Sequence, residues 1–146
     1  MKSQRTNNRI LLVSDDSTVR ESLGEMLHSG GYKVLFAKTG QEAIGSLEVN
    51  RISAIVLDHR TPFSSADKTG KKGATLEALT DFNPLLSLVL TRDANRNLDH
   101  ASSLMADLIL THPVTPSVLL EGVDTVLMET LQERVRRKSE SLTLHR

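Results

Sequence analysis

The sequence predicts an α/β fold, a five-stranded parallel sheet with helices on both faces, and three observations carry that prediction. Five short apolar runs rich in branched residues recur along the 146-residue chain. Residues at helical spacing separate each run from the next. The central run, Ile52-Ser53-Ala54-Ile55-Val56-Leu57-Asp58, stays almost wholly apolar until it ends in a carboxylate, as a strand covered on both faces does. Strands that alternate with helices run parallel, because each crossover returns the chain to the same end of the sheet.

The first strand is Ile10-Leu11-Leu12-Val13, closed by Ser14-Asp15-Asp16-Ser17. Val19, Leu23, Met26 and Leu27 then mark a helix that Gly30-Gly31 stops. Its start is read either as a Thr18–Glu21 capping box or as a Ser17 cap. Tyr32 to Ala37 is the second strand. Thr39-Gly40-Gln41-Glu42 leads into a second helix that buries Ala43, Ile44 and Leu47. After the central strand, Phe63 to Gly73 has the Ser, Gly and Lys content of a mobile surface loop. Leu76, Leu79 and Phe82 give a short helix ending near Asn83-Pro84. Leu85 to Leu90 is the fourth strand, Asp93 to Met105 a fourth helix and Leu108-Ile109-Leu110 the fifth strand. Thr115-Pro116 opens the last helix, as a cap followed by proline at the first helical position. Its apolar positions, Leu119, Leu120, Val123, Val126, Leu127, Leu131 and Val135, outrun what one sheet covers. Two readings stand: a helix that frays at Arg136-Arg137-Lys138, or an extension that pairs with another chain or leads into a further domain.

Length suits a single domain, with a core of about residues 9–130 and a helical extension of about 131–146. Eighteen basic and eighteen acidic residues cancel, so no overall field draws the chain to nucleic acid or an anionic membrane. The absence of cysteine excludes disulfides and thiolate metal sites. No apolar run is long enough for a membrane span or a signal-peptide core, and the expectation is a cytoplasmic protein. His28, His59, His100 and His112 lack metal-helix spacing. Gly70-Lys71-Lys72-Gly73-Ala74-Thr75 lacks the ending of a phosphate loop, and no G-x-S-x-G elbow surrounds Ser14 or Ser17. Arg134, Arg136, Arg137 and Lys138 read as a solvated helix end.

Open parallel sheets bind ligands beyond the carboxyl ends of their strands. The residues found there are Ser14-Asp15-Asp16, Asp58, Thr91 and His112-Pro113. Their order and spacing resemble those of the response-regulator receiver domain, over roughly residues 9 to 130. The resemblance implies a flavodoxin-like sheet in the order 2-1-3-4-5. It also implies phosphorelay signalling, in which a histidine kinase or phosphotransfer protein phosphorylates Asp58. Such a domain is regulatory, its own chemistry confined to magnesium-dependent self-phosphorylation and dephosphorylation.

Aligned on Arg20, Ser14 stands at the first acidic position of the family and Asp15 at the second, with Asp16 just outside. Pro62 follows Asp58 by four residues, as in the family, and Thr91 matches the hydroxyl that bonds the phosphoryl group. The magnesium ligands implied are Asp15, Asp58 and the Arg60 carbonyl, with Asp16 as a substitute for the missing acid. His112 replaces the usual lysine before a proline whose bond is cis in the family, and Ile109 replaces the aromatic switch residue. Phosphoryl transfer depends on charge neutralisation and alignment. An imidazole, with a reference pKa of about 6.5, neutralises less reliably than a lysine. The expectation is therefore weakened metal binding and impaired or pH-dependent phosphorylation. Output or homodimerisation is expected on the face formed by the fourth helix, fifth strand and fifth helix, or on the C-terminal helix. The alternative is a pseudo-receiver, which keeps the fold and acts by protein contact without phosphorylation.

Overall fold

Each apolar run forms a strand in the computed structural model, which describes residues 5–66, 73–94, 100–129 and 131–144, less the side chains of 100–102, 131 and 141–144. The chain order is β1 (Arg9–Val13), α1 (Ser17–Ser29), β2 (Lys33–Ala37), α2 (Gly40–Val49), β3 (Ala54–Asp58), α3 (Ala74–Phe82), β4 (Leu88–Arg92), α4 (His100–Met105), β5 (Leu108–Thr111), α5 (Pro116–Met128) and α6 (Leu131–Leu144). The sheet is parallel throughout and its order is β2-β1-β3-β4-β5. Both features agree with the expected fold.

Strand alternation sorts the apolar side chains into two layers. Ile10, Leu12, Val56 and Val89 face α1 and α5, where they meet Leu23, Leu27, Leu119, Val123 and Val126. Leu11, Val13, Ile55, Leu57, Leu88 and Leu90 face the other way, against Ala43, Leu76, Leu79 and Ala106. All five β3 residues are buried, Asp58 included. Gly31 adopts a left-handed φ of 103° just after α1, the backbone conformation for which glycine is the default residue.

Several boundaries differ from the sequence reading. β3 starts at Ala54 and β4 at Leu88. Leu86 N–H instead donates back to the Asn83 carbonyl in a turn after Pro84. Of the helix expected over 93–105, His100–Met105 is helical, Asp93 and Ala94 are not, and 95–99 lie outside the described residues. Residues 67–72 of the long loop also lie outside them. Among the described residues, no helix is long and apolar enough to cross a membrane.

The C-terminal apolar register is not one continuous helix. Glu129 leaves the helical conformation (φ −67°, ψ 129°), which ends α5 and lets α6 begin separately at Leu131. Arg136-Arg137-Lys138 is neither a frayed segment nor a fully solvated end. Arg137 ion-pairs with the buried Asp107 and with Glu129, and Lys138 Nζ donates to the Pro84 and Leu86 carbonyls, each at 2.9 Å. α6 therefore folds back across the amino ends of β4 and β5.

Candidate functional site

The carboxyl ends of the strands gather the residues that the sequence singled out, in an arrangement the sequence only partly anticipated. Ser14 continues the sheet by donating its N–H to the Ala37 carbonyl at 3.0 Å. That places its side chain beside β3, where Ser14 Oγ donates to Asp58 Oδ2 at 2.9 Å. Both residues are buried, at 0% and 1% exposure. A neutral hydroxyl thus touches the carboxylate at the position where the resemblance implies an acid. Arg20, the residue that fixed the alignment, donates to the Ser14 carbonyl at 2.8 Å and holds this turn from α1.

Asp15 is exposed, whereas Asp16 is the cap of α1. Its extended backbone (φ −90°, ψ 115°) points Oδ1 at the Thr18 and Val19 amides, at 2.9 and 3.2 Å. Neither Ser17 nor a Thr18–Glu21 box caps the helix, because the chain is already helical at Ser17. The carboxylate one residue earlier satisfies the free amides.

Arg60 contributes its side chain as well as its backbone. Its N–H donates to Asp58 Oδ1 at 3.2 Å, closing a tight turn after β3. The guanidinium then folds back over the same carboxylate, with Nε 3.4 Å from Oδ1 and Nη2 3.4 Å from Oδ2. Nη2 also lies 3.7 Å from Asp16 Oδ2, and Nη1 lies 3.4 Å from Asp93 Oδ2. Hydrogen bonding to Asp58, ahead of the charges of Asp93 and Asp16, raises the guanidinium pKa above its already high ordinary value. Three aspartates from three strand ends thus converge on one cation.

Thr91 pairs with Asp58 in the β3–β4 register and is fully buried. Its Oγ1 and the Nε2 of His112 are buried without a hydrogen-bond partner. Buried polar atoms of this kind are uncommon, because leaving one unpaired costs about 1–3 kcal/mol. The peptide bond between His112 and Pro113 is cis. Ile109 is partly buried and packs against the core layer that holds Leu88 and Leu90. Beneath the site, Thr61 Oγ1 donates to the Val13 carbonyl and Thr75 Oγ1 to the Thr61 carbonyl, tying the post-β3 turn to β1 and α3.

These placements bear on the magnesium implied by the resemblance. Among the described residues, no three His, Asp or Glu side chains form a group able to hold a metal ion. Asp15 is exposed, the Ser14 position is neutral, and both Asp58 oxygens are engaged by Arg60. As placed, the residues do not fit a divalent ion on Asp58 unless Arg60 leaves. Sequence reasoning used only the carbonyl of Arg60 and missed its side chain. A long cation two residues after a strand-end acid was the signal available.

No protein-family model matches the chain. Its curated relatives include the response regulator MprA of Mycolicibacterium vanbaalenii, 31% identical over 135 residues, which are 92% of this chain and 57% of that protein. MprA of Mycobacterium sp. strain KMS is 48% identical over 54 residues, 37% of this chain and 24% of that protein. The chain therefore matches between a quarter and just over half of these relatives' length. Among solved structures, a CheY-like receiver domain protein of Methanospirillum hungatei aligns with a TM-score of 0.66 at 25% identity, covering 88% of this chain and 97% of that one. The response regulator TrrA of Thermotoga maritima, solved in complex with Mg(2+)-BeF, aligns with a TM-score of 0.69 at 24% identity, covering 82% and 98%. With kinship along nearly the whole sequence and a shared sheet order, the chain is a receiver domain of the response-regulator type.

Proposed function

We propose that this receiver domain accepts a phosphoryl group on Asp58 from a histidine kinase or phosphotransfer protein, more slowly than a receiver with the full acidic and lysine complement. The observation that carries this reading is the pair of buried, unpartnered polar atoms at the same sheet edge, Thr91 Oγ1 and His112 Nε2. A phosphoryl group on Asp58 would supply the acceptor oxygens these atoms lack, and charge-assisted bonds of that kind are among the stronger ones.

In the reaction, an Asp58 oxygen attacks the phosphorus of a phosphohistidine. The O–P bond forms as the P–N bond breaks, and the imidazole leaves with the electron pair and takes up a proton. Thr91 Oγ1 donates to one equatorial oxygen, and His112 donates to another when its imidazole carries the proton. Slowness follows from the resting contacts, since the attacking carboxylate is held by Ser14 Oγ and by Arg60. Those hydrogen bonds must loosen before either oxygen is free.

Downstream, the face formed by α4, β5 and α5 is the surface proposed to repack toward a partner, a second copy or an output domain. Ile109 stands on that face in place of an aromatic ring, so the response does not pass through a swinging ring there. We place the domain in the cytoplasm and assign it no direct contact with nucleic acid.

The test is acetyl phosphate or phosphoramidate labelling across a pH series, read by intact-mass spectrometry. The expected result is one added phosphoryl group that is absent from Asp58→Asn, with labelling that depends on pH. No labelling at any pH, with partner binding unaffected by Asp58→Asn, would instead establish a phosphorylation-independent interaction module.

A further inference from the structure

We propose that the Arg60 guanidinium is a built-in cation of this site, standing where a receiver would seat a divalent metal, so that the Asp58 centre is assembled and works without one. The inference deepens the phosphoacceptor reading, but its metal-exclusion half stands on the resting geometry alone.

Arg60 meets both Asp58 oxygens and reaches Asp16 and Asp93 with its remaining nitrogens. A planar fork is suited to this, because it addresses both oxygens of one carboxylate and still has donors for others. The backbone bond from Arg60 N–H to Asp58 Oδ1 holds the residue in the turn from which its side chain can fold back. Asp16 cannot turn freely to become a metal ligand, since its Oδ1 already caps α1. Ser14 removes the charge that would favour a doubly charged ion over a singly charged one.

Competition favours the tethered group. A cation on a short tether acts at an effective concentration in the millimolar range or above. Magnesium dehydrates reluctantly and demands near-octahedral oxygen geometry, and while Arg60 is folded back the Asp58, Asp16 and Asp93 oxygens that could supply part of it are paired with the guanidinium. The guanidinium is a third exposed, so it can swing aside to admit a phosphoryl donor and then pair with the group delivered. In that position it supplies charge neutralisation that Ser14 cannot and that His112 supplies only when protonated.

The deciding measurement is a titration of magnesium chloride into the 15N-labelled, unphosphorylated chain, following the amides of Ser14 and of residues 58–61. The unaltered chain is expected to show no saturable shift. Arg60→Met is expected to bind magnesium at least about tenfold more tightly, with the binding lost in the Asp58→Asn, Arg60→Met double variant. Arg60→Lys, which keeps the charge, is expected to restore exclusion in part. Equal magnesium affinity in the unaltered chain and Arg60→Met would overturn the proposal, whatever the state of phosphorylation. Labelling with phosphoramidate in EDTA then tests the catalytic half. Equal labelling with and without magnesium supports it, and labelling that needs magnesium in the unaltered chain rejects it. If no variant is labelled under any condition, the phosphoacceptor reading fails, and the claim that the site works without metal fails with it. The titration still decides whether Arg60 excludes the metal.

Discussion

The two ends of the sheet make an instructive pair, because each holds a buried aspartate under an arginine and only one is fully satisfied. At the amino end, Asp107 exchanges bonds with Leu88, its N–H donating to the Leu88 carbonyl at 2.9 Å and its Oδ2 accepting from Leu88 N–H at 2.6 Å. Its Oδ1 takes Arg137 and lies 3.5 Å from Lys138 Nζ. At the carboxyl end, Asp58 is held by Ser14 and Arg60, yet Oγ1 of Thr91, its partner in the β3–β4 register, and Nε2 of His112, which follows β5, have no hydrogen-bond partner. A fully paired buried charge is a structural clamp. A paired charge next to unpaired donors is a site prepared for something that arrives later.

The comparison breaks first at Asp107. Asp107→Ala leaves the Leu88 N–H without its acceptor and takes one partner from each of Arg137 and Lys138, and is expected to cost about 3 kcal/mol in urea unfolding. An unchanged midpoint would mean that the amino-end network is decorative. Thr91→Val sharpens the contrast from the other side. It removes a buried hydroxyl that pairs with nothing, so stability should rise by up to about 1 kcal/mol while Asp58 labelling slows roughly tenfold. Lower stability with unchanged labelling would reverse the assignment of the two ends.

The smallest effect is an acid one. Glu129 is held below its ordinary pKa mainly by its bond to Arg137, and Asp124 mainly by its bond to Arg5. Both bind protons more weakly folded than unfolded. Their contribution is therefore complete above the ordinary values of 4.5 and 3.8, and is lost as pH falls through the lowered folded values. Arg137→Gln should flatten the part of this slope due to Glu129, by less than about 1 kcal/mol between pH 6 and pH 3, in thermal melts. An identical slope in the variant would show that Arg137 contributes no net pairing to Glu129.

The strands were legible because a doubly covered sheet leaves apolar runs that little else imitates, and Asp58 was legible because it ends the most apolar of them. Thr91 and His112 followed from their places at the carboxyl ends of β4 and β5. What the sequence hid were arrangements made by side chains reaching between elements. The break at Glu129 carries neither glycine nor proline, and apolar spacing runs straight through it. It is legible only once Asp107 is known to be buried with Arg137 and Lys138 upon it. β4 begins late for a related reason, since the Asp107 carboxylate and amide hold Leu88 as its first paired residue. Arg60 escaped because the direction of its side chain is set by the turn after β3, a three-dimensional fact with no periodic signature.

The turn at Glu129 has a mechanical meaning. Continued straight, the last helix would be a lever projecting from the domain, able to carry a rotation of α5 outward. Doubled back, it lies beside α4 and ties the amino ends of β4 and β5 together through Arg137 and Lys138. α6 is thus a brace laid against α4 and across the starts of β4 and β5, at the end of the sheet opposite Asp58.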